Sequence, residues 1–250
     1  MKAILTIGGS DPSGCSGVQR DLKVLWEKGI YGVSVITAIT AQSVGQYFGH
    51  QWVSSELVNE QLKAVFSEFE IRYVKIGMLG TSEIVKAVSS FLSQEKVFIL
   101  YDPVMKSSTG GEMVEGDFVQ VIRRELIPLV GLLTPNIKEC EKIVGRRMER
   151  YDEGEVLEVY KEMGVKNLLI KGGHWQDEKS SVDYLVEEGG KVKVFENERV
   201  KGKDIRGTGC SYASSIVSEL YKGGALEDCV RRSKKWLWEK IKEEEKIFFN

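Results

Sequence analysis

The chain reads as an α/β protein with a mostly parallel central sheet, helices on both faces and a late antiparallel edge hairpin. Three observations carry this. Short apolar, β-rich runs alternate with helical patterns along the 250 residues. Runs such as ILTI and VFIL are apolar at consecutive positions, so both faces of those strands are covered, as in a parallel sheet between helices. Near the end the order changes. VDYLVEEGGKVKVFENERV reads as two strands folded about Gly189-Gly190, which puts an antiparallel pair at one edge.

The elements follow in order. Strand 3–7 is the first buried run and ends in glycines; a helical pattern over 18–28 comes next. Strand 33–40 precedes helix 55–69, and strand 73–76 precedes helix 82–93. VFIL marks strand 97–101, followed by helix 117–128. Strand 132–134 leads into helix 138–144, where Asn136 and Glu139 have capping-box spacing. Helix 153–163 and strand 167–171 precede the hairpin. Gly207-Thr208-Gly209-Cys210 opens helix 210–221. A long amphipathic helix rich in Lys and Glu runs from about 226 to 245 and presents a solvated outer face. No linker or low-complexity tract interrupts the pattern, so residues 1–250 are expected to form a single domain.

Composition narrows the partners. A net charge of −2 gives no reason to expect nucleic acid or an anionic membrane. No apolar run approaches the ~18 residues of a membrane span. Cys15, Cys140, Cys210 and Cys229 are scattered, and with only His50 and His174 there is no zinc pattern. A reduced, cytoplasmic setting is expected.

The polar motifs fall at strand ends, where open α/β sheets bind ligands. Gly8 to Gly17 follows strand one. It is neither a Walker A loop nor a dinucleotide fingerprint, and it reads either as a tight strand-to-helix connection or as a loop close to a small ligand. Asp21 sits early in the next helix, where a carboxylate also suits the helix dipole. Gln42, at the mouth of strand two, can hold a planar heterocycle through paired donor and acceptor groups, or simply face solvent. Met78 can lie on a flat ring or belong to the core. Asp102 at a strand end is a natural ligand for Mg²⁺ or its water. Glu139 either completes the capping box or faces a metal–phosphate complex, and both can hold. Lys171, followed by glycines, can reach phosphate oxygens. Gly207–Cys210 places backbone N–H groups and a helix dipole at one point, a ready anion site. The thiolate of Cys210 is expected to be favoured there.

Taken in order, GGSDPSGCSGVQRDLK, YGVSVITAITAQS, VKIGMLG, DPVM, TPNIKE, KGGH and GTGC resemble hydroxymethylpyrimidine/phosphomethylpyrimidine kinase of thiamine biosynthesis, in the ribokinase superfamily. The resemblance runs from about residue 3 to 240. It implies a ribokinase-like fold, ATP and Mg²⁺ as cofactors, a small pyrimidine as substrate and, from relatives, a homodimer. The implied reaction phosphorylates 4-amino-5-hydroxymethyl-2-methylpyrimidine and then its monophosphate. By position, Gln42 matches the residue on the pyrimidine edge, with Ser16, Asp21, Thr40, Met78 and Val104 completing the pocket. Lys171, Lys106, Asn136 and Arg206 fall on the ATP and phosphate side, and Asp102 and Glu139 in the metal region. Gly207, Thr208, Gly209 and Cys210 match the anion hole and the residue beside the attacking hydroxyl.

Three departures stand out. The lid Lys comes two positions early, as Lys106 in KSSTG. Arg206 stands where His is common, and the glycine-rich C-terminal tail is missing. Arg206 and Lys106 are expected to supply the displaced charge near the phosphates. The alternatives are a pyridoxal/pyridoxine kinase and a catalytically silent ligand-binding relative. A sugar kinase of the superfamily carries Asp where this chain has Cys210.

Overall fold

The computed structural model describes residues 1–106, 113–173, 175, 179–200 and 205–243. Chain order runs β1 (Lys2–Ser10), α1 (Gly17–Glu27), β2 (Gly32–Gln42), β3 (Tyr47–Trp52), α2 (Ser55–Glu68), β4 (Glu70–Ile76), α3 (Ser82–Leu92), β5 (Phe98–Tyr101) and α4 (Phe118–Val121). It continues through β6 (Leu132–Leu133), α5 (Ile137–Val144), α6 (Glu153–Met163), β7 (Leu168–Lys171), β8 (Ser180–Glu187), β9 (Lys191–Glu198), α7 (Thr208–Tyr221) and α8 (Leu226–Glu243). The expected lid segment 107–110, His174 and the C-terminal 246–250 lie outside the described residues.

These strands form one nine-stranded sheet in the order β3-β2-β1-β4-β5-β6-β7-β8-β9. Pairing from β2 through β1, β4, β5 and β6 to β7 is parallel. The expected hairpin is present as β8 and β9, antiparallel to each other and to β7. The sheet has a second antiparallel edge that the sequence pattern did not reveal. β2 turns at Ser43–Gln46, where Ser43 N donates to Gln46 O, and returns as β3. YFGHQW has neither an apolar run nor clean alternation, and context outweighs such weak strand preference. Helix 117–128 also differs. It begins as α4, widens to a π-helical turn over Ile122–Leu126 and tightens to a 3₁₀ turn over Ile127–Leu129. Pro128, which lacks an N–H and crowds the preceding turn, ends the regular helix there.

Side chains alternate across the sheet. Ala3, Leu5 and Ile7 join Ile99, Leu133 and Ile170 beneath α2, α3, α5 and α6. Ile4, Leu100, Leu132 and Leu169 face the other way, onto Leu25 of α1, Ile216 and Val217 of α7 and Val230 of α8. Because β1, β4, β5, β6 and β7 run parallel, their carboxyl ends share one border of the sheet. The polar motifs gather there.

Candidate active site

The loop after β1 is held by one carboxylate. Asp11 is buried and accepts from Ser13 N (2.9 Å), Ser13 Oγ (2.7 Å), Ser16 N (2.9 Å) and Ser16 Oγ (2.6 Å). Thr40 Oγ1 donates to Ser10 O (2.8 Å), so the end of β2 is tied to the same loop. Gly9 allows Met78 to lie against it, since a Cβ at Gly9 would stand 3.0 Å from Met78 Sδ. Met78, Ala38 and Met113, with Val104, Tyr47 and Trp52 packed around them, make an apolar wall. Gln42 closes β2, and its Oε1 accepts from Arg206 Nη2 at 2.7 Å.

A cleft of about 220 Å³ opens between these groups. Ser16, Asp21, Thr40, Gln42, Met78, Asp102, Val104, Lys106, Asn136, Glu139, Lys171, Arg206 and Gly207 to Cys210 all line it. Every candidate site residue thus meets at one place, although the chain separates the first and last by most of its length. A second cavity, about 620 Å³, lies beneath α8 and the β8–β9 edge. Asn136, Lys171, Ile205, Thr208 and Gly209 line both, so the two cavities meet at the start of α7.

That start is built by glycine. Gly207 has φ 74°, and a Cβ there would lie 1.9 Å from Cys15 O. α7 carries no side-chain cap, which leaves the N–H groups of its first turn for a ligand. A Cβ on Gly209 would stand 3.5 Å from Lys171 Nζ and 3.7 Å from Asp102 Oδ2. Lys171 forms an ion pair with Asp102, which also accepts from Thr134 Oγ1 (3.2 Å). Asn136 and Glu139 make the reciprocal capping box at 3.0 and 2.7 Å. Burial raises the Glu139 carboxyl to about 7, with Asp102 pushing the same way and Lys171 opposing. Burial works against the Lys171 ammonium, but Asp102 and Glu139 together raise its pKa.

Three expectations change in detail. The thiolate of Cys210 is not favoured. Burial raises the thiol's pKa, reinforced by Asp21 and Asp102, and Lys75 only partly offsets this. Asp21 is already engaged inside the protein. It accepts from Thr6 Oγ1 (2.6 Å), Lys75 Nζ (2.8 Å) and Ser214 Oγ (2.8 Å). Arg206 faces the turn after β2, with Nη1 donating to the carbonyls of Ser43 and Val44 and Nη2 lying 3.8 Å from Asp11.

Residue patterns did not single out Asp11, Lys75 or Asp183. Lys75 carried a signal, a cation inside the apolar run YVKI of the expected strand 73–76. Asp183 Oδ1 accepts from Gly172 N (3.0 Å) and Oδ2 pairs with Lys234 Nζ (2.8 Å), so this carboxylate fixes the strand end that carries Lys171.

A family model described as Phosphomethylpyrimidine kinase matches residues 11–248. The chain belongs to this family. It is 37% identical over 246 residues to the hydroxymethylpyrimidine/phosphomethylpyrimidine kinase of Staphylococcus aureus, covering 94% of this chain and 86% of that relative. The crystal structure of a phosphomethylpyrimidine kinase from Clostridium difficile is 34% identical and superposes with TM-score 0.82, over 96% of this chain and 100% of that one. A pyridoxal kinase from Staphylococcus aureus in complex with ADP is 26% identical, with TM-score 0.85 over 97% and 88%. The fold is therefore ribokinase-like and the protein is a phosphotransferase.

Proposed function

We propose that this kinase transfers the γ-phosphoryl group of ATP to the hydroxymethyl oxygen of 4-amino-5-hydroxymethyl-2-methylpyrimidine, and then a second phosphoryl group to the monophosphate. The observation that carries this is the meeting of two cavities at an uncapped helix start beside Lys171. The smaller takes the ring, between the Met78 wall and Gln42. The larger takes the nucleotide, with its phosphates on the N–H groups of Thr208, Gly209 and Cys210. Phosphoryl transfer passes through a loose transition state, so catalysis rests on positioning and on neutralising the equatorial oxygens. Lys171 and the α7 start supply that charge from fixed positions. A protonated Cys210 thiol is a poor base, which a loose transition state tolerates.

Asp102 and Glu139 fit Mg²⁺. Among the described residues no group of three or more His, Cys, Asp or Glu gathers, which suits an ion held chiefly by phosphates and water. Burial, with Asp102 adding to it, raises the Glu139 carboxyl to about 7, and a cation beside the two carboxylates would favour their ionised forms. When bound, Mg²⁺ would neutralise phosphate charge.

The charge of Lys106, exposed on the rim of the cleft, suits a phosphate entering or leaving. The whole chain acts as one domain in this reading. A homodimer is supported by apolar side chains exposed near the β3 edge, Ile39, Val44 and Phe48. Four unpaired cysteines suit the cytoplasm, and no helix among the described residues is long and apolar enough to cross a membrane. Light scattering tests the dimer.

The substrate is tested by mass spectrometry after incubation with MgATP and, in turn, the hydroxymethylpyrimidine, its monophosphate and pyridoxal. The mono- and diphosphate are expected. Phosphorylation of pyridoxal alone would overturn the substrate assignment.

A further inference from the structure

We infer that Arg206 is a positioning residue for Gln42, holding its amide so that Nε2 faces the ring-binding cleft. The inference rests on the ring-side reading of the smaller cleft. Gln42 ends β2 and Arg206 immediately precedes the α7 turn, 164 positions later, yet their side chains meet at 2.7 Å and both are only 8% exposed. A guanidinium has donors and no acceptor, so the amide atom facing it must be the oxygen. The other end of the amide is then Nε2. It makes no hydrogen bond to the described residues, and Gln42 lines the cleft.

Arg206 is itself held. Nη1 donates to the carbonyls of Ser43 and Val44, and Asp11 balances its charge at 3.8 Å. The fork therefore clamps the loop that follows Gln42 as well as the Gln42 side chain. An imidazole, which donates or accepts according to its tautomer, would leave either amide orientation open and could not span three acceptors. With arginine the orientation is single. The cleft offers an N–H donor at this point, and an aromatic nitrogen with an in-plane lone pair is the ring edge that matches it. This assigns Arg206 to ring recognition and makes the phosphate side independent of it.

The test is a double-mutant cycle read by calorimetric Kd for the ring, with Gln42→Ala, Arg206→Met and the pair. Arg206→Met should weaken ring binding about tenfold, a typical worth for a charge-assisted contact acting through a neighbour. It should leave the KM for ATP and the ratio of first to second phosphorylation within about twofold. In the Gln42→Ala background Arg206→Met should add almost nothing. Should Arg206→Met fold poorly, Arg206→His and Arg206→Lys serve as the second arm. Each should weaken ring binding while Gln42 is present and not when it is absent. Additive losses in the cycle, or a loss confined to ATP or to the monophosphate step, would overturn the inference. The cycle is run on whichever ring the wild type binds, so an error in the substrate assignment shows separately, as wild-type preference for pyridoxal. A wild type that binds neither ring would overturn both readings.

Discussion

Two lysine–aspartate pairs lie at the heart of this molecule, and they differ in how completely the protein satisfies them. Lys75 and Asp21 meet at 2.8 Å with side chains 2% and 1% exposed, and Asp21 has Thr6 and Ser214 as further donors. Lys171 and Asp102 meet where the two cavities join, with the lysine 14% exposed and a second carboxylate, Glu139, beside them. The first pair borders the smaller cleft, but its hydrogen-bonding partners lie within the fold. The second shares one lysine between two carboxylates, one of them raised to about 7 by burial, and its lysine lines both cavities. Residue type is the same in both; what separates a strut from a candidate site is the polar capacity left over for a ligand.

The comparison breaks most visibly on removing each lysine. Lys75→Met leaves the Asp21 carboxylate buried without its counter-ion, a loss of about 3–5 kcal/mol of stability. A large fall in Tm is expected, checked by thermal and urea melts. Lys171→Met should instead lower kcat by roughly 10²–10³, the scale for losing a preorganised group that stabilises transition-state charge. Its Tm should fall less than that of Lys75→Met, because Lys171 is 14% exposed against 2% for Lys75, so less of its ion pair is shielded from solvent. If both variants lose stability equally and keep proportionate activity per folded molecule, the distinction fails.

Glu139 sharpens the same contrast through pH. Its folded-state pKa is raised to about 7, by burial first and by Asp102 second. The folded protein therefore holds a proton there that the unfolded chain has released. Stability from this group is present below the ordinary carboxylate pKa and is lost as pH rises towards about 7. Without Mg²⁺, Tm should decline over that window, and Glu139→Gln, which keeps the capping geometry, should flatten the decline. At limiting Mg²⁺ the wild type should gain activity as Glu139 ionises, while Glu139→Gln should be slow throughout. A wild-type Tm profile identical to that of Glu139→Gln would leave only the capping role.

These contrasts also show what could be read in advance. The parallel strands and the turns after them are local signals, and so the residues on Gly8–Gly17, Gln42, Asp102 and Gly207–Cys210 are legible in the sequence. β3 could not, because its pairing with β2 outweighs a weakly patterned YFGHQW. The spacing that marks a capping box at Asn136 and Glu139 survives, since both partners lie on one helical turn. Pairings across the chain left no such trace. Asp21 with Lys75, and Gln42 with Arg206, join residues far apart in sequence, and whether a polar atom is spent or spare depends on those distant partners.

The smallest expected effect concerns Cys210, where a local argument misled. A helix start alone favours a thiolate. Here burial and the carboxylates of Asp21 and Asp102 outweigh both that and Lys75, so the thiol is held protonated above its ordinary pKa. A group that is not a base at neutral pH cannot supply the roughly 10²–10⁴-fold of general-base catalysis. Cys210→Ala should therefore cost less than about tenfold in kcat, far below the loss in Lys171→Met, while the backbone N–H at that position is kept. The wild-type rate should show no step between pH 7 and 9 that Cys210→Ala removes. A loss of about 10³-fold in Cys210→Ala, with such a step in the wild type, would restore the thiolate as a base and would require the neighbouring carboxylates to be neutralised when the nucleotide binds.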